Sequence, residues 1–139
     1  MKREEKYPDT RSFHFYNANP KGRTGGDCVV RALCTAMNQP WDVTVRELTE
    51  LGIKLGYVLN DRNTYEKYLA SKGWVKYKQP RKGDNTKYTG KEFTRIIDKK
   101  VNYIARIGGH HIVAIINGRV NDIWNSTDGC IGNYWIKEN

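Results

Sequence analysis

The amino-acid sequence predicts an α+β domain, with helices first and an antiparallel sheet of about four strands last. Three observations carry this expectation. Between Val29 and Met37 apolar residues recur at helical spacing. From Val101 the period changes to two, with Val101, Tyr103, Ala105 and Ile107 alternating with polar positions. The pair Asn117-Gly118 then separates H-I-V-A-I-I from R-V-N-D-I-W, the strongest short hairpin signal. The expected organisation of the 139 residues is one domain: an irregular arm over 1–26, a mainly helical part over 27–100 and the sheet over 101–139.

The arm carries Pro8, Pro20 and the cluster Gly22, Gly25 and Gly26, and it offers one strand candidate, Ser12 to Tyr16. Asp27 then stands where an N-cap belongs, and Cys28 opens a helix that buries Val29, Val30, Leu33, Ala36 and Met37. Beyond Pro40, Asp42 or Thr44 caps a second helix running to about Gly56, and Thr44 with Glu47 has capping-box spacing. Asn63 caps a third over Thr64 to Lys72, with Gly73 as its stop. Thr89, with Glu92 three residues on, starts a fourth that turns Phe93, Ile96 and Ile97 inward. Gly108 and Gly109 end the strand that begins at Val101. The turn Thr127, Asp128, Gly129 precedes a last strand from Cys130 to Ile136.

At 38% hydrophobic and 28% charged residues the composition is that of a globular chain. The longest aliphatic run, Ile112 to Ile116, is five residues, so neither a membrane span nor a secretory leader is expected. Three cysteines without C-x-x-C spacing suggest neither a disulfide framework nor a metal site, which points to a reducing, cytoplasmic setting with no cofactor. Net charge is +9, and +7 of it falls between Lys72 and Lys100, where ten Lys or Arg face Asp84, Glu92 and Asp98. Lys76, Lys78, Arg81 and Lys82, interleaved with Trp74, Tyr77 and Tyr88, form a candidate surface for an acidic protein or for weak, non-specific nucleic-acid contact.

A cysteine in the first turn of a helix sits where free backbone N–H groups and the helix dipole favour a thiolate. Cys28 has that place, and its own amide is a candidate donor to an oxyanion. Cys34 and Cys130 read as packing residues. A nucleophilic thiol needs a base, and the hairpin selects His111 among His14, His110 and His111. With a two-residue Asn117-Gly118 turn, Ile115 faces Val120, Val113 faces Asp122 and His111 faces Trp124. His111 and Asp122 then share a face as diagonal neighbours, as a base and its orienting carboxylate require. His110 points to the other face.

Cys28, His111 and then Asp122 or Asn125, in that order, resemble the papain superfamily of cysteine peptidases. The run H-I-V-A-I is similar to the H-A-V-A-V type of segment at the family's catalytic histidine. The Asp27-Cys28 pair resembles bacteriocin-processing and other small bacterial peptidases. T-G-G-D-C-V-V-R-A-L together with G-G-H-H-I-V-A-I-I-N-G-R-V-N-D-I-W-N-S is similar to small peptidase-like proteins of phages and bacteria. The resemblance implies a papain-like fold, a protein or peptide substrate, and a bacterial or phage-infected cell. The superfamily usually places an oxyanion-hole glutamine about six residues before the nucleophile, where this chain has Gly22. Asn17 and Asn19 are therefore the side-chain oxyanion candidates beside the Cys28 amide. Trp124-Asn125-Ser126 resembles the N-S-W segment of papain, which makes Asn125 the alternative orienter to Asp122.

The leading expectation is thus a cysteine peptidase or related thiol hydrolase with a Cys-His-Asp/Asn triad. An acyl transferase or deamidase on the same fold, and a non-catalytic basic binding module, are the alternatives.

Overall fold

Helix α2, Cys28–Met37, forms because one stripe of its surface is continuously apolar. Val29, Val30, Ala32, Leu33 and Ala36 are all at most 5% exposed. Asn38, in the left-handed region at φ 53°, ends it. In this computed structural model, residues 1–138 are described. Ahead of α2 lie a four-residue helix α1, Arg3–Lys6, and strand β1, Phe13–Phe15. Behind it follow α3, Trp41–Leu55, α4, Arg62–Ser71, and β2, Trp74–Tyr77. Helix α5, Gly90–Ile96, leads into β3, Tyr103–Ile107, β4, His111–Ile116, β5, Arg119–Asp122, and β6, Ile131–Lys137.

The class is α+β, with five helices and one mixed sheet of six strands among the described residues, rather than four antiparallel strands. The order is β1-β5-β4-β3-β6-β2, antiparallel except for β1, which runs parallel to β5. The two additional strands come from outside 101–139. β1 arises from the strand candidate in the arm, and β2 from the stretch between the third and fourth expected helices, inside the part expected to be mainly helical. Only Trp74 of β2 is buried, so a pattern of two had too few positions to show itself. The hairpin register follows the two-residue turn: Ile116 faces Arg119, Ile115 faces Val120 and Ala114 faces Asn121. Asn117 and Gly118 both have positive φ, 54° and 73°, as a type I′ turn demands. β5 stops at Asp122, two residues short of the expected end at Trp124.

Several helix starts differ from expectation. The Asp27 side chain caps nothing, because its carboxylate bonds Arg31 and the indole of Trp41 instead. Pro40, not Asp42 or Thr44, is the N-cap of α3. Thr44 lies inside the helix, fully buried, donating to the Pro40 carbonyl at 3.0 Å and accepting from Gln39. Asp61 caps α4 by accepting from the Asn63 N–H, so Asn63 is not the cap. Thr89 and Glu92 do form the capping box of α5, whereas Ile96 is 58% exposed rather than inward.

The core has two halves, one on each face of the sheet. Ile104, Ile112, Ala114 and Trp135 meet α2, α3 and α4, while Tyr103, Ala105, Ile107, Val113, Ile115 and Val120 lie with Phe93 of α5. Leu33, with no exposed surface, is central to the first half. Leu33→Ala is expected to lower stability by about 2–5 kcal/mol in urea unfolding, through lost burial plus the cavity left behind.

Candidate functional site

Three elements converge on one point: the first turn of α2, the first residue of β4 and the last residue of β5. They bring Cys28, His111 and Asp122 together. Asp122 is 4% exposed, and its Oδ2 is hydrogen-bonded to His111 Nε2. An ionised carboxylate only accepts, so Nε2 carries the proton of that bond and Nδ1 is the nitrogen left for the thiol. The Cys28 thiol and the imidazole act on one another electrostatically. The Trp124 ring lies 5.1 Å from that of His111, centroid to centroid, and covers it.

Electrostatics at this point favour a thiolate facing an imidazolium. Burial pushes the Cys28 thiol up, but the hydrogen bond and charge of His111, the Ile112 backbone N–H and the Arg31 charge together hold it below the usual cysteine value. Burial likewise pulls His111 down, yet the bonds to Asp122 and Cys28 outweigh it and raise the imidazole to about 9. Cys34 contrasts with Cys28. It is buried in α2, donates to the Arg31 carbonyl at 3.4 Å, and is pushed up to about 11, chiefly by burial. Cys130 is exposed and so is not the packing residue expected.

The remaining residues singled out by sequence lie as follows. Asn125 lines the same recess as His111 but is turned into its own loop, where Oδ1 accepts from the Thr127 N–H at 3.0 Å and from its hydroxyl at 2.5 Å. Asn17 donates to the Arg23 carbonyl and Asn19 to Asp27 Oδ2, each at 3.0 Å, so both amides are engaged within the arm and at its junction with α2. Neither is directed at Cys28 by these bonds. His14 binds Asp9 at 2.7 Å on the exposed arm, and His110 is exposed.

In the basic segment, Lys76 pairs with Glu66 at 3.0 Å and Lys82 with Glu92, the latter ammonium lying over Tyr88. Arg81 donates to the Asn85 carbonyl, and Lys78 is exposed. Trp74 is 5% exposed and Tyr77 is stacked on Tyr134 at 5.2 Å, which removes two of the three rings from a base-stacking platform. Any nucleic-acid binding is therefore expected to be weak and to fall steeply between about 50 and 200 mM salt. A fluorescence-anisotropy titration checks this.

A recess of about 250 Å³ adjoins the imidazole, lined by Ile107, Gly108, His111, Trp124, Ser126 and Gly129 among others. The Ser126 hydroxyl is buried with no hydrogen-bond partner among the described residues. A larger cleft of about 640 Å³ lies between the arm, the end of α2 and the hairpin tip, and contains none of Cys28, His111 and Asp122. The chemistry points to the smaller recess. Among the described residues no three His, Cys, Asp or Glu side chains are grouped to hold a metal ion, and no helix is long and apolar enough to cross a membrane. Comparison with protein-family models, curated proteins and solved structures found no match to this chain.

Sequence reasoning missed Arg31. It is buried and paired with Asp27, and its second nitrogen lies 3.6 Å from Asp122. The spacing of Asp27 and Arg31, four residues apart at the start of a helix, is the signal that was available.

Proposed function

We propose that this chain is a papain-like thiol hydrolase that cleaves a peptide bond in a protein substrate. The observation that supports this reading is the Cys28-His111-Asp122 line at the N-terminus of α2, with the thiol held below and the imidazole above their ordinary values. In the proposed reaction the thiolate attacks the carbonyl carbon. The N–H of Cys28 and the positive end of α2 stabilise the oxyanion. His111 gives its proton to the leaving amine as the carbon–nitrogen bond breaks, leaving a thioester on Cys28. His111 then takes a proton from water, whose oxygen attacks the thioester, and the acid departs as the thiolate reforms. An amine in place of that water makes the same site a transferase, and a carboxamide substrate makes it a deamidase. The recess beside Trp124 gives a substrate side chain a place against the base.

Thiol alkylation across pH, with peptide mapping, tests the reading. The expected result is that Cys28 reacts fastest of the three cysteines, because Cys34 is buried with its thiol pushed up and Cys130 lacks the helix start and the imidazole. Its midpoint is expected below the free-thiol value of about 8.5. Hydrolysis is expected to follow a bell-shaped pH profile. The acid limb comes from ionisation of the thiol, and the alkaline limb, near 9, from loss of the imidazolium proton. A faster Cys34 or Cys130 would overturn the assignment.

A further inference from the structure

A charged side chain one turn into a core helix ordinarily reaches for solvent. Arg31 is 7% exposed. Its guanidinium spans two carboxylates, Nη1 donating to Asp27 Oδ1 and Nη2 lying 3.6 Å from Asp122 Oδ1. Asp27 is fixed in turn on its other oxygen, where Asn19 Nδ2 and Trp41 Nε1 each donate at 3.0 Å. Asp122 divides its oxygens. Oδ1 faces Arg31 and accepts the Ile123 N–H at 2.7 Å, while Oδ2 meets His111. Arg3 of α1 bonds the Ile123 carbonyl at 2.6 Å. The charged groups around Asp122 are therefore Arg31 from α2, Asp27 just ahead of it, His111 from β4 and Arg3 from α1, with Cys28 across the imidazole.

We infer that Arg31 is a positioning residue of this site: by holding Asp122 Oδ1 it keeps Oδ2 on His111, and Asp27 and Asn19 anchor the guanidinium that does so. Asp122 Oδ1 is directed by two contacts, the Ile123 N–H at 2.7 Å and the Arg31 guanidinium at 3.6 Å, and the second of these carries charge. The guanidinium reinforces the direction set by the Ile123 N–H, because its permanent charge attracts Oδ1 while Oδ2 meets His111. Without that charge two buried carboxylates would stand beside a thiolate. The chain leads outward from His111 through Asp122, Arg31 and Asp27 to Asn19, so the fold of the arm bears on the orientation of the base. The consequence for turnover rests on the thiol-hydrolase reading, whereas the effect on His111 is measurable without it.

The test is an NMR titration of the His111 ring nitrogens in the unmodified protein, in Arg31→Lys and in Asp27→Asn. Lysine keeps the charge but offers a single point donor that cannot span both carboxylates. In Arg31→Lys the His111 midpoint is expected to fall from about 9 by about one pH unit or more, with the Nε2–H form no longer the sole neutral tautomer. Cys28 alkylation at neutral pH is expected to fall about tenfold. Asp27→Asn is expected to move His111 in the same direction by less, since one anchor of the guanidinium is weakened. A folded Arg31→Lys protein with unchanged His111 titration and tautomer overturns the proposal. If that variant does not fold, an unchanged titration in Asp27→Asn overturns it equally. A His111 that shifts as expected in a protein whose Cys28 shows no enhanced reactivity would leave Arg31 in its role and remove the hydrolase reading instead.

Discussion

Cys28→Ala is expected to abolish hydrolysis by the proposed thiol hydrolase, a loss of roughly 10⁴-fold or more, while the protein stays folded. The size follows from the chemistry. Without the thiolate there is no acyl-enzyme, and what remains is the oxyanion donors and substrate binding, which cannot replace a covalent step. Stability is expected to change by no more than about 2 kcal/mol, because one small, half-buried side chain leaves a site that is already partly open. The pair Cys34→Ala and Cys130→Ala is the control. Cys34 is 4% exposed and packed, so its loss acts on stability, and Cys130 stands on the surface, so its loss acts on neither. Release of fluorescence from a quenched peptide library, with mass analysis of alkylated Cys28, separates the three. Full turnover in Cys28→Ala would move the chemistry elsewhere in the molecule.

What the sequence made legible was local. Helical spacing from Val29 to Met37, the capping box Thr89-Glu92 and the turn Asn117-Gly118 each depend on residues within a few positions of one another, and each appears in the structure. The meeting of His111 and Asp122 was legible for the same reason, since the turn fixes the register of the two strands that carry them. Long-range pairing was not legible. β1 joins the sheet by running parallel to β5, about a hundred residues away, and nothing local marks Phe13–Phe15 for that edge. The partners of Asp27 were also hidden: a carboxylate at a helix start reads as a cap until Arg31, Trp41 and Asn19 are seen to surround it. The chain folds its oxyanion candidates in the arm, Asn17 and Asn19, onto a backbone carbonyl and Asp27, which spacing alone did not foretell.

Asp122→Ala is expected to reduce turnover at least tenfold more than Asn125→Ala, with both variants folded by circular dichroism. In a serine triad, loss of the orienting carboxylate costs about 10⁴ in turnover, and the cost is smaller where a thiolate is already formed. The geometry separates the two residues clearly. Asp122 meets His111 Nε2 directly, whereas Asn125 Oδ1 is occupied by the N–H and hydroxyl of Thr127. Removing Asn125 therefore loosens a loop beside the recess, which acts on substrate binding before it acts on the base. Removing Asp122 acts on the base itself. The imidazole loses the acceptor that fixes its tautomer and the charge that raises it, so the alkaline limb of the pH profile is expected to move down from about 9 toward the ordinary histidine value of 6.5. The sign is fixed by the cause: an imidazolium without its counter-charge gives up its proton at lower pH. Asp122→Ala also leaves Arg31 facing Asp27 alone, and Asp122→Asn guards against reading that disturbance as catalysis, because it keeps the shape while removing the charge and turning one acceptor oxygen into an NH2 donor. The alkaline limb is expected to fall in both Asp122 variants and to stay near 9 in Asn125→Ala. The opposite pattern, a limb that falls in Asn125→Ala alone, would mean that Asn125 leaves Thr127 and takes the histidine when substrate is bound.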